Sequence, residues 1–168
     1  MSTHRFWKTS LLVIVSFLSI IASPLYAVTP EEFNSIVNFE GSIEQLSTLV
    51  RSGRTDEIDL DRYYVLQGAV ASTIVFSADP ATFQAVIELV ESRWVNLETV
   101  EMYRIYVLVT DPRYAARLPE RLPRDPGPEV IQANQELLVV GPYVGNSPPL
   151  EGGGDEAEIP VIQAVAIR

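Results

Sequence analysis

The sequence predicts a mainly α protein: a small helical-hairpin (solenoid-like) or irregular helical bundle domain with a short C-terminal β extension. Three observations lead there. Over 42–53 the apolar residues Ile43, Leu46, Leu49 and Val50 fall at i, i+3, i+6 and i+7, one face of a helix. Phe83, Val86, Leu89 and Val90 repeat that spacing about forty positions on, and Leu49-Val50-Arg51-Ser52 is echoed by Leu89-Val90-Glu91-Ser92. Each stretch leads through a polar link to a more apolar one, beginning near Leu60 or Leu97. A period of about forty residues suits stacked helical hairpins, each burying its apolar face on the next.

Taken in order, the chain opens with a segment that reads as a secretory signal. His4, Arg5 and Lys8 form a basic head, 11–22 is apolar but for Ser16 and Ser19, and Ala27 offers a small residue for cleavage. An apolar run of about a dozen residues, with Pro24 soon after, is short for a membrane span, so no integral span is expected once 1–27 is removed. Without that segment, ten basic residues face 22 acidic ones, a formal charge of −12 instead of −10. Localisation is expected to be periplasmic or secreted.

A helical domain is expected over 28–118. Thr29, Pro30 and Glu32 form a capping box with proline at the first helical position, and Val28 with Phe33 a hydrophobic staple. Ser42, with Gln45 three residues on, caps the second helix, which Gly53 ends. The polar link 54–61 carries Asp56, Glu57, Asp59 and Asp61 before a third helix over 60–76, whose Gly68, Ala69, Ala71 and Ser72 allow close packing. Asp79-Pro80 starts a fourth helix over 83–94. Asn96 caps a fifth, whose 100–109 run is apolar nearly all round and so reads as central and buried. Asp111-Pro112 opens a short unit, 113–118.

Four prolines between Pro119 and Pro128 make 119–129 a linker. Beyond it, 130–168 reads as a β extension. The Val-Ile-Gln-Ala core at Val130–Ala133 returns at Val161–Ala164. Strands are expected over 130–140 and 159–167, paired antiparallel, although a helix also fits 129–138. The stretch 145–158, with Gly152, Gly153 and Gly154 among acids, reads as a mobile acidic Gly-rich loop.

Absences bound the chemistry. There is no Cys, His4 is the sole His and Lys8 the sole Lys. After loss of 1–27 the chain has no imidazole, thiol or amine side chain, which excludes Ser-His-Asp and Cys-His nucleophiles, the usual zinc sites and lysine catalysis. The acids at Asp56–Asp61 lack the turn glycine and terminal Glu of a calcium loop, and read as helix-dipole partners. Glu91-Ser92 resembles the Glu-Ser pair of lytic transglycosylases, enzymes that cleave peptidoglycan. The Gly-Leu-Met-Gln-type segment those enzymes carry downstream is absent, and Arg51-Ser52 stands at the equivalent place of the apparent repeat. No catalytic, cofactor or metal residue is assigned.

Partner contacts are expected from the aromatic set Trp94, Tyr103, Tyr106 and Tyr114, and from Val161, Ile162, Val165 and Ile167 on a terminal strand open to strand addition. The function expected is an exported protein–protein binding or adaptor module of the cell envelope, with a second envelope protein or another copy as partner. A carboxylate-dependent enzyme on envelope glycans is the alternative. An acidic chain with no basic cluster is expected to have no nucleic-acid partner.

Overall fold

A computed structural model describes residues 35–150 and 157–168; the expected signal segment, the capping box at Thr29–Glu32 and the middle of the Gly-rich loop lie outside them. The elements are β1 (Val37–Asn38), α1 (Ile43–Arg51), β2 (Tyr63–Ser77), β3 (Gln84–Trp94), β4 (Val100–Val109), β5 (Glu136–Ser147), β6 (Ile159–Gln163) and β7 (Ala166–Ile167). Short 3-10 turns occupy Thr55–Glu57 and Pro112–Tyr114.

The mainly α expectation is thereby overturned: the protein is mostly β. The helices read over 60–76, 83–94 and 100–109 are β2, β3 and β4. In β4, Tyr103, Ile105, Val107 and Val109 point inward and are buried, while Tyr106 and Leu108 on the other face also pack against neighbours. A strand covered on both faces reads as a continuous apolar run, which helical spacing mimics. Rich β-branching (Val65, Val70, Thr73, Ile74 and Val75 in β2) favours the pleated alternative. The forty-residue echo has no structural counterpart, because its first copy is a helix and its second a strand.

Pairing closes the strands into a barrel. β2 runs antiparallel to β3 and β3 to β4; β4 lies parallel to β6; β6 is antiparallel to β5, and β5 returns antiparallel to β2. The long strand β2 serves both sides. Tyr63–Ala69 pairs with β5 and Ala69–Ser77 with β3, with a bulge between Val70 and Ser72 that turns the strand. β1 adds in parallel at Tyr63, and β7 pairs with Val139 and Val140 of β5. The expected antiparallel pairing of the two C-terminal segments is present. Its first strand starts at Glu136 and extends to Ser147, so β6 meets Tyr143–Ser147 and the Val130–Ala133 copy of the repeated tetrapeptide stays outside the sheet.

The barrel interior is one apolar cluster built around Leu66, Val70, Ile87, Leu89, Ile105, Val107, Leu137, Val139 and Ile162. α1 is the helix read from the sequence. Ser42 caps it by accepting a hydrogen bond from the Gln45 N–H, and Ile43, Leu46, Leu49 and Val50 join the core. Gly68 lets it approach, since a Cβ there would sit 2.7 Å from the Ile43 side chain. The stretch 119–129 forms no helix or strand, and Leu118 and Ile131 on either side of it are buried. No described helix is long and apolar enough to cross a membrane.

Candidate ligand-binding face

The register sorts β3 and β4 into two faces. Inward go Ala85, Ile87 and Leu89 from β3, and Tyr103, Ile105, Val107 and Val109 from β4. Outward go Val86, Glu88, Val90, Ser92 and Trp94, opposite Leu108, Tyr106, Arg104, Met102 and Val100. Val86, Tyr106 and Leu108 form a small satellite cluster with Ile159 and Val161 of β6, so this end of the face is closed. Towards the β3–β4 turn it opens. Trp94 is 70% exposed, Met102 60%, and Leu97 in the turn 98%. Two charged side chains stand on the outward positions, Glu88 and Arg104, and they pair at 3.6 Å. The face is therefore formally neutral.

The expected contact residues do not form one surface. Trp94 ends β3 in solvent, and Val165 is also exposed. Tyr106 points outward, but it is buried and its hydroxyl accepts the Leu150 N–H. Tyr114 accepts the Ile167 N–H, joining the 112–114 turn to the last strand. Ile162 and Ile167 are core residues, while Val161 is half-buried in the barrel wall. The open terminal strand is corrected too, because β6 has a neighbour on each side.

Glu91, half of the Glu-Ser pair, has a structural task. Its carboxylate accepts the Glu44 N–H in the first turn of α1, where a negative charge meets the positive end of the helix. Arg93, two residues on, pairs with Glu44 at 2.6 Å, so β3 grips the start of the helix twice. Asp59 likewise holds a turn: its carboxylate accepts the Asp61 N–H and its carbonyl accepts the Tyr64 hydroxyl. Among the described residues no three His, Cys, Asp or Glu side chains converge as a metal site.

Where α1 meets β4, the Ser47 hydroxyl donates to the Arg104 carbonyl at 2.6 Å and accepts the Arg104 N–H at 3.1 Å. One helix turn further, the Arg51 guanidinium lies 5.0 Å from the centre of the Tyr103 ring. The Tyr103 hydroxyl donates to Glu101 at 2.5 Å, and that hydrogen bond, with lesser help from burial, pushes its pKa from 10 up to about 12. Folding thus favours the neutral phenol. The resulting stabilisation is complete below pH 10 and fades as the pH rises through the folded value near 12. Phenolate absorbance is expected to show Tyr103 ionising near pH 12, and Glu101→Gln to bring that value down towards 10. Ionisation near pH 10 in the unaltered protein would contradict the hydrogen bond.

A five-stranded barrel in the order β2-β3-β4-β6-β5, closed on β2 and with β4 parallel to β6, has the strand order of the oligonucleotide/oligosaccharide-binding (OB) barrel. In that class the second and third strands, here β3 and β4, carry the ligand. No family model and no curated protein matches the chain. Among solved structures it is similar to the small single-stranded DNA-binding protein from Streptomyces coelicolor (15% identity, 63% of this chain and 89% of that one, TM-score 0.41). It is also similar to a Plasmodium falciparum SSB in complex with single-stranded DNA (9% identity, the same coverages, TM-score 0.40). The envelope adaptor, the glycan enzyme and the exclusion of nucleic acid are corrected on the fold itself, since the barrel replaces the helical domain on which they were drawn. The first stood on helical hairpins and an open strand over 159–167; among the described residues the hairpins are strands, and β6 is paired on both sides. The last stood on net charge, a sum over the whole surface that does not describe one neutral face.

The exposed outward row was not legible as a site from the sequence. Its signal was the alternation Trp94, Met102, Arg104, which appears once 83–109 is read with a period of two.

Proposed function

We propose that the chain binds a single-stranded oligonucleotide across the outer face of β3 and β4. The observation that carries this is the outward row on those two strands: an exposed indole at Trp94, a thioether at Met102 and a guanidinium at Arg104, on a barrel whose class places its ligand there. Bases stack on aromatic faces without sequence preference, at about 1–3 kcal/mol per base. The face is neutral, so stacking outweighs phosphate neutralisation. Affinity is then expected at the weak end, on the order of 10 µM or poorer at physiological salt. Export through 1–27 is proposed on the sequence alone.

Anisotropy of a labelled oligothymidylate, titrated with the full chain, tests this. Saturable binding is expected, weakened about tenfold by Trp94→Ala, in keeping with the loss of one stacking contact. Binding of an oligosaccharide with none to oligothymidylate would overturn the reading, and so would binding indifferent to Trp94.

A further inference from the structure

We propose that the cleft between α1, β4 and the start of β6 is a phosphodiester subsite, in which Arg51 and Arg104 hold one anionic phosphate group. It rests on the single-strand reading above and deepens it. The cleft has a volume of about 230 Å³ and is lined by Ser47, Arg51, Met102 and Arg104 from α1 and β4 and by 157–159. Met102 and Arg104 belong at once to this cleft and to the outward row that ends in Trp94. A strand whose base stacks on Trp94 therefore runs its backbone towards the two guanidiniums.

The arrangement is built into the fold. Ser47 is the one buried polar residue among the described side chains, at 3% exposure. Its hydroxyl is used twice on the backbone of Arg104, which locks that residue to the helix. Arg51 lies four residues after Ser47 and so shares its helix face. The Arg51 Nε donates to the Ser47 carbonyl, and the guanidinium lies over Tyr103. Helix and strand thus fix one arginine on each side of the cleft, a planar fork suited to phosphate oxygens.

The surrounding charges set the ligand. Glu158 faces the cleft, with its carboxylate accepting the Asn146 side-chain N–H. Glu88 reaches Arg104 from β3 at 3.6 Å and also accepts the Ser72 hydroxyl. With Glu88 on Arg104 and Glu158 on the lining, two carboxylates face the two guanidiniums, and so balanced a site suits the single charge of a diester better than a phosphate dianion.

Two measurements on the full chain test the subsite. The first compares the salt dependence of binding for oligothymidylate and for an abasic oligomer of the same length, in the unaltered protein and in Arg51→Gln/Arg104→Gln, with melting curves confirming that the variant folds. The slope of log affinity against log salt is expected to flatten by about 0.7, the loss of one phosphate contact, for both oligomers. The second follows the arginine Nε–H signals by NMR as dimethyl phosphate is added, and shifts confined to Arg51 and Arg104 are expected. Oligothymidylate binding with an unchanged slope and silent arginines would overturn the subsite and leave the single-strand reading standing. Arginine shifts with dimethyl phosphate but no oligomer binding would support the subsite and overturn that reading.

Discussion

Deletion of 159–168 is expected to abolish the cooperative thermal transition of the protein. β6 is the stave between β4 and β5, bonded in parallel to Tyr106–Leu108 and antiparallel to Tyr143–Ser147. Removing it opens the barrel along both seams. It also strips Ile159, Ile162 and Ile167, each under 5% exposed, from the packed regions. Each buried isoleucine is worth about 1.5–3 kcal/mol, against a total stability of about 5–15 kcal/mol for a domain of this kind. The backbone groups of β4 and β5 that faced β6 would lose their partners as well. Circular dichroism during heating measures it. A sharp transition within a few degrees of the intact protein would mean that the barrel closes without β6.

A single added methyl group at Gly141 is expected to cost about 3 kcal/mol or more. Gly141 pairs with Tyr64 across the β2–β5 seam, at the place where the chain crosses Gln163. A Cβ there would overlap the Gln163 carbonyl, a backbone group that cannot rotate away as a side chain would. Overpacking ordinarily costs 1–3 kcal/mol, and a backbone clash at a barrel seam lies at or beyond the top of that range. Gly127→Ala is the control, because nothing lies within 4 Å of the added atom, and its effect is expected within about 0.5 kcal/mol. Urea unfolding of both variants decides it. Equal midpoints for Gly141→Ala and the unaltered protein would place the seam elsewhere.

What could be read from the sequence was local. Ser42, Gln45 and the Ile43–Val50 face define α1 because a helix satisfies its own hydrogen bonds within a few residues, so its signals lie close together in the chain. The strands failed for the converse reason. β4 packs on both faces over its second half, 105–109, so its apolar run there carries no clean alternation, and the β2 bulge shifts the period of two between Val70 and Ser72. Phe83, Val86, Leu89 and Val90 fit a helical face only by accident: Leu89 points into the barrel, while Val86 and Val90 lie on the opposite face. The candidate face suffered with the fold, because Trp94 and Arg104 come to share one face only through the β3–β4 register. Net charge misled in another way. It counted Asp59 and Glu91, which serve a turn and a helix end, as though every acid repelled a ligand.

Barrel closure also bears on how this chain behaves in a crowded solution. Every barrel strand has a neighbour on both sides, and the two strands that end the pairing order, β1 and β7, are two residues long each. So short an edge is a poor template for another chain to extend, which is how native sheets avoid self-association. The protection belongs to the folded state alone. Leu137–Val140 and Val161–Ile167 are β-branched or apolar except for Gln163, uncharged and free of proline, the composition that stacks into cross-β assemblies when unpaired. Substitutions that loosen the barrel therefore carry a second penalty beyond lost stability, because they expose those segments together and turn unfolding into aggregation.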